Sequence, residues 1–475
     1  MTSQVNRYLK KKLDTRIEIG HIRLQWPKEL GIENVYIEDL KGDTLLAARK
    51  LQAGVDMWGV LRGRIAIDQV VLEGVRGKVY RKAPDKDFNY QFIVDAFSSD
   101  SPADTTTGAP LDMSWNKLLI RQVHLSYYDD ASGIDADVKL PDASVGFDAF
   151  NPSYSRYHPT AIKLAGAGVS LHTFEAADLG LPQEAPSATS DTLDLKLGDI
   201  DFRDVKVSYN DAVNGMSTEL SFPKLLAMID HVYLDGQSVS VKELSIEGAR
   251  TIVLFESKEQ KPAQEPEAKP ADTEEAGGWR IAMGKLDLSD NEIRYDDGNV
   301  KPAPEGVDFS HLHLQGFGGE ISEFIFLADS TAGVLKDLRF EEKSGFNVKE
   351  LSAGFAYTSR QAFLKDLLFV TPHSTLGNGL KLTYASPGEL ADNPGKAGIE
   401  LTLTNSKLGF RDLLLLAPDL AQTAPFDKKP DGFVQGNARL TGTVDNLQIE
   451  KAEFTMPEAT RMAVTGTIKG LPDTD

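Results

Sequence analysis

The chain reads as an all-β protein, an elongated and mostly antiparallel meander curled into a U-shaped apolar groove. Three observations predict it. Apolar residues alternate at period 2 over most of the 475 residues, the signature of strands with one apolar face. One strand pattern recurs three times. No stretch carries the long 3.6-residue periodicity of a helical domain. The recurring pattern is clearest in Leu286–Asp297 (LDLSDNEIRYDD), where Leu286 and Leu288 are followed by a two-residue phase slip, then Ile293, Tyr295 and a pair of acids. Leu118, Ile120, Val123, Leu125, Tyr127 and Asp129 repeat it, as do Ile200, Phe202, Val205, Val207, Tyr209 and Asp211. The slip reads as a bulge or bend that turns the strand while keeping one face inward. A weaker relative, Ile65, Ile67, Val70 and Leu72, lies upstream.

Taken in order, Ser3–Leu13 places Val5, Tyr8, Leu9 and Leu13 at helical spacing beside Arg7 and Lys10–Lys12, a short basic amphipathic helix. It caps the first strands or lies on a membrane surface. From Ile17 to Arg81 the alternation is almost continuous, broken at Pro27, Gly31, Gly42 and Gly59, with a helical turn expected over Met57–Leu61. Asn89–Phe97 reads as a buried cluster. Three stretches lose every large apolar residue: Ser98–Pro110, Pro182–Thr192 and Glu256–Gly278. Such composition cannot recover its ordering entropy by burial, and each stretch lies just upstream of one copy of the repeat. Leu140-Pro141 and Phe222-Pro223 each follow their Tyr by the same interval, and Phe309 lies at nearly the same interval after Tyr295. From Leu338 the pattern is an uninterrupted meander with a turn at Lys343–Gly345. Gly409–Gln422 is the one internal helix expected, closed by Pro418 and Pro425. The blocks are therefore 1–97, a linker at 98–111, a repeat at 112–181, a loop at 182–192, a repeat at 193–255, an acidic Pro-rich loop at 256–278, and a repeat with meander at 279–475. At one rung per roughly 15 residues and about 4.8 Å per rung, the length is roughly 100–150 Å.

Composition excludes several functions. A net charge of −20 argues against nucleic acid as a partner. With no cysteine there is no disulfide, thiolate nucleophile or sulfur ligand. No run of 18 apolar residues is present to span a bilayer as a helix. Neither a phosphate-cradling loop nor a nucleophile elbow occurs, and Gly316–Glu320 (GFGGE) does not complete a dinucleotide fingerprint. His311 and His313 share a strand face but have no third metal ligand at a recognisable spacing. The acidic turns at Tyr128–Asp130, Asn210–Asp211 and Asp296–Gly298 read as strand-ending turns rather than calcium loops. The chain reads as a non-enzyme with no cofactor.

The run Val35–Leu72 (VYIEDLKGDTLLAARKLQAGVDMWGVLRGRIAIDQVVL), followed by Asn89–Phe97, resembles the N-terminal part of TamB proteins of the Bacteroidota type, members of the AsmA-like superfamily of repeating β-groove proteins. Leu338–Tyr384 looks like the same family further along. The resemblance implies a periplasmic protein, anchored in the inner membrane, that carries phospholipid along an apolar groove towards the outer membrane. It also implies a partner, an outer-membrane β-barrel assembly protein, and a role in outer-membrane or autotransporter protein assembly. The family's N-terminal transmembrane helix and C-terminal domain are absent, so the chain is expected to be a segment whose membrane contact lies in parts outside it.

The residues support a groove on their own account. Bent strands with one apolar face must bury it, either in a sandwich or in a trough left open for phospholipid acyl chains. The pairs expected to line the trough are Ile65 and Ile67, Leu118 and Ile120, Ile200 and Phe202, and Leu286 and Leu288. The alternatives are a scaffold that receives incoming strands by edge augmentation and a surface repeat protein with a filled core.

Overall fold

The computed structural model describes residues 2–25, 29–55, 65–97, 113–151, 155–180, 193–234, 236–256, 278–456 and 461–470. The expected turn at Met57–Leu61 and the polar stretches 98–112, 181–192 and 257–277 lie outside the described residues. The fold is all-β with few and short helices. It divides into two units, residues 1–236 with 252–256 and residues 237–251 with 257–475.

The first unit begins with helix α1 (Thr2–Leu13), then strands β1 (Ile17–Gln25), β2 (Glu29–Glu38), β3 (Thr44–Val55), β4 (Ile65–Glu73) and β5 (Arg76–Arg81), and helix α2 (Gln91–Phe97). Then come β6 (Met113–Trp115), β7 (Lys117–Asp129), β8 (Ile134–Asn151), β9 (Arg156–Ala165), β10 (Gly168–Thr173), β11 (Asp194–Leu195), β12 (Asp199–Asp211) and β13 (Met216–Tyr233). α2 corrects the expectation of a buried cluster at Asn89–Phe97. None of its residues is buried, and Val94 and Phe97 stand 46% and 48% exposed.

The strands are wired by a rule that alternation alone does not contain. β4 and β5 are one strand kinked at Gly74, since β3 runs antiparallel to both halves in a single register. β9 and β10 are likewise one strand kinked at Gly166. Each kinked strand then pairs in parallel with the first strand of the next repeat, β4–β5 with β7 and β9–β10 with β12. A parallel pair needs a long crossover connection, whereas an antiparallel pair needs only a hairpin. That is why a long polar stretch precedes each copy of the repeat.

The phase slips are left-handed kinks. Gln122, Asp204 and Asp290 have φ of 53°, 51° and 53°. Opposite the first two, in the neighbouring strands, stand Pro141 and Pro223, between the pairs Arg121–Asp142 and Val123–Leu140, and Arg203–Lys224 and Val205–Phe222. A proline is tolerated inside the sheet there, because it has no N–H to contribute to the ladder. On the other flank sit Gly74 and Gly166, at φ of 62° and 68°, a conformation that glycine adopts without Cβ strain. The kinks line up across the strands as a crease. The residue just past each one is buried: Val35, Val75, Val123, Ala167 and Val205 are 2–7% exposed. Val35, Ala48, Val75 and Val123 form one packed cluster.

The second unit contains β14 (Ser238–Glu247), part of β15 (Arg250–Phe255), β16 (Arg280–Asp297), β17 (His311–Leu327), β18 (Ser330–Glu342), β19 (Asn347–Thr358), β20 (Gln361–Val370) and β21 (Thr375–Thr383). Helix α3 (Pro387–Asp392), β22 (Gly398–Gly409), helix α4 (Phe410–Leu416), β23 (Phe433–Thr443), β24 (Asn446–Thr455) and β25 (Arg461–Lys469) follow. β14 joins β16 in parallel, and from β16 to β25 each strand pairs antiparallel with the next. The expected helix at Gly409–Gln422 is split: α4 ends at Leu416, and Pro418 starts a separate 3-10 turn over Pro418–Gln422. α3 was not expected; Ser386 caps it by accepting from the Glu389 N–H. The third copy of the repeat drops the proline rule. Phe309 is 66% exposed and precedes β17, so it is not the counterpart of Leu140 and Phe222.

Candidate functional site

Residues paired across a ladder share one face of the sheet, so the register shows what each face carries. In the first unit one row runs Ile32–Leu51–Leu72–Ile120 and continues Ala143–Leu164–Phe202–Leu225. The next row on the same face runs Leu30–Ala53–Val70–Leu118 and then Val145–Ile162–Ile200–Ala227. Both are apolar at every position. The opposite face nearest the crease instead reads Lys50–Glu73–Arg121–Asp142, then Ala165–Arg203–Lys224.

Four of the expected lining residues, Leu118, Ile120, Ile200 and Phe202, therefore lie in two adjacent rows. Ile67 joins them through a second irregularity: between the pairs Gly54–Gln69 and Val55–Ile67 the register skips a residue, which returns Ile67 to the apolar face. Ile65 of β4 pairs with Met113 of β6, but its side chain lies outside the described residues. Leu286 and Leu288 occupy the same places in the second unit. Leu286 stands in the row Leu244–Leu286–Ile321–Leu335, and Leu288 lies between Ile246 and Gly319. Further along that unit, Phe355–Leu364–Leu380–Leu401–Leu440–Ile449 is apolar across six strands.

Burial separates these rows from the crease. Ile67, Leu118, Ile120, Ile200, Phe202, Leu286 and Leu288 are all half-buried, while the crease residues beside them are fully buried. The crease is thus the packed core, and the flanking rows are apolar without being sealed.

Pattern reading missed the aromatic rim. Ile67 pairs with Trp115, whose ring stacks on Phe150 at 4.6 Å; Phe147 and Tyr157 meet the same Phe150 edge-on at 5.1 and 5.3 Å. The Trp115 indole N–H is buried and has no acceptor among the described residues, an arrangement that costs roughly 1–3 kcal/mol. An aromatic so close to a three-residue strand carries no periodic signal.

The acidic turns are built as strand ends. The Asp129 carboxylate takes two hydrogen bonds from Arg81, at 2.7 and 2.8 Å, one from Ser132 Oγ and one from the Ala131 N–H. The guanidinium holds Asp129 well below the usual carboxylate range. Asp211 accepts from the N–H groups of Val213 and Asn214 and from the Asn214 amide, and these bonds lower it too. Asp39 does the same with Lys41, Asp43, Tyr80 and Asn89. Burial, followed by the bond to Asp39, pushes the Tyr80 hydroxyl upward. His311 and His313 engage different carboxylates, Asp308 and Glu292, each at 2.9 Å. Among the described residues no three side chains of metal-ligating type converge, and no helix is long and apolar enough to cross a membrane. No family model matches this chain, and no curated protein matches it either.

Proposed function

We propose that the apolar face beside the crease is a trough that holds phospholipid acyl chains and lets them move along it, in a segment of a conduit between two membranes. The observation that carries this reading is the pair of unbroken apolar rows through Leu118, Ile120, Ile200 and Phe202, half-buried beside a crease that is already packed. Burying a methylene contributes about 0.8 kcal/mol, so one acyl chain gains on the order of 10 kcal/mol before opposing costs. Because every rung offers similar aliphatic contacts, no single position traps the chain. The resemblance to repeating β-groove proteins supports the same reading and implies a periplasmic place for it, with an outer-membrane assembly protein as a partner of the larger system.

The test compares Phe202→Asp and Leu288→Asp with the parent protein, measuring the melting curve and the lipid released by solvent extraction. In an open trough the carboxylate keeps water at the mouth, so the fold survives while bound phospholipid is lost. Outright unfolding would assign these side chains to an ordinary core. Lipid content equal to the parent's would remove the trough as the binding site. A lipid-free parent that captures outer-membrane strands would turn the reading to the strand-augmentation scaffold.

A further inference from the structure

The charge of this chain is unevenly distributed. Residues 1–82 hold sixteen Lys and Arg against ten Asp and Glu, a net +6, whereas the remaining residues hold 35 against 61, a net −26. The excess is concentrated on α1. Asn6 fixes the roll of this helix on the outer edge of β1, accepting the Ile19 N–H at 3.0 Å and donating to the Ile19 carbonyl at 2.9 Å. Leu13 is buried beneath it. The clamp turns Arg7, Lys10, Lys11 and Lys12 outward, all exposed. Among the described residues none of these four has an ion-pair partner, although Lys and Arg elsewhere in the unit, such as Lys78 with Asp43 and Arg49 with Glu73, do.

Apolar groups sit among these cations. Lys12 Nζ lies 4.5 Å from the Phe97 ring of α2 and 5.9 Å from the Tyr8 ring. Tyr8 is 58%, Phe97 48% and Val94 46% exposed. The acids on the two helices and at the end of α1 are Asp14 and Asp95, so four cations stand against two anions. Bulky apolar side chains interleaved with unpaired lysines on a clamped helix match the interfacial zone of a bilayer, where rings enter the headgroup layer and ammonium groups meet lipid phosphates.

We infer that the α1–α2 surface of the first unit docks on an anionic lipid bilayer. Within the first unit, the acids from β7 onward are separated from the helix along the sheet. β7 is four ladder spacings from β1, roughly 19 Å, and exposed charges are largely screened beyond about 8–10 Å at physiological salt. The inference concerns an outer surface and does not require the trough to carry lipid.

The experiment is flotation of the purified chain with phosphatidylcholine vesicles, with and without phosphatidylglycerol. Binding is expected only where the anionic lipid is present, and it weakens as salt is raised. Lys10→Glu/Lys11→Glu/Lys12→Glu leaves Asn6 and Leu13 in place and lowers the partition coefficient by about a hundredfold or more. Tyr8→Ser/Phe97→Ser lowers it several-fold at unchanged charge. A control that reverses three exposed lysines of the second unit, Lys336, Lys349 and Lys365, binds like the parent, which separates a local surface from net charge. No binding to either vesicle overturns the inference, as does equal binding to both or a triple variant that still floats. Competition by duplex DNA as strong as by anionic vesicles overturns it too, since the surface would then be a general polyanion site.

Discussion

The repeats of the first unit and the meander of the second keep the same apolar face by different means. In the repeats, each kink is shared among three strands: a glycine at 74 or 166, a left-handed Gln122 or Asp204, and a proline opposite. In the meander no proline faces a kink, and strands carry their own left-handed residue, such as Asp337, Asp366 and Asn405, with register shifts at every pairing from β16 to β25. Parallel joins and long crossovers occur only where repeats meet. The bend therefore does not depend on connectivity. What recurs in both regions is a left-handed residue followed by a buried one, as in Asp204–Val205, Asp337–Leu338 and Asn405–Ser406.

The comparison breaks most visibly at the crease itself. Val205→Asp places a carboxylate without a partner in the packed row and should cost about 3–5 kcal/mol, while Phe202→Asp, three residues away on the open row, should cost far less. Denaturant unfolding of the two variants measures the difference; equal losses would mean that crease and rows are one core. Arg81→Met tests the turn that ends the repeat, and removing the cation from buried Asp129 should cost about 2–4 kcal/mol at neutral pH. Because Asp129 is depressed in the folded state, its contribution is complete above the unfolded carboxylate value of about 3.9 and is lost as pH falls below it. The gap in melting temperature between parent and Arg81→Met should therefore hold from pH 7 to pH 5 and narrow below about pH 4.

Gly74→Val asks whether the shared kink tolerates a side chain. A Cβ there would meet Arg49 Cβ at 2.9 Å, at a φ of 62°, so a loss of about 2–4 kcal/mol is expected. Asp366→Gly makes the opposite change in the meander. Relieving a left-handed aspartate at φ 51° should stabilise by about 0.5–1 kcal/mol, the strain removed exceeding the extra freedom of the unfolded glycine. Thermal unfolding of both variants sets the sign in each region, and a destabilised Asp366→Gly would show that the aspartate does more than bend its strand.

Much of this protein was legible in its residues because the relevant physics is local. Period-2 alternation, the slip before Val123, Val205 and Asn291, and the aspartate turns at 129 and 211 each depend on neighbours a few positions away. Tertiary structure decided what depends on partners far along the chain. Alternation does not state which strand lies beside which, so the parallel joins at β7, β12 and β16 were invisible, and with them the reason for the polar stretches. Nor does it rank apolar residues on one face. Val123 and Ile120 look alike in sequence, yet only the first sits where neighbouring kinks close over it. Asn291 shows the limit most clearly: a polar residue occupies the crease because it accepts from the Ala249 N–H and donates to the carbonyls of Ile246 and Phe317, three groups that only folding brings to it.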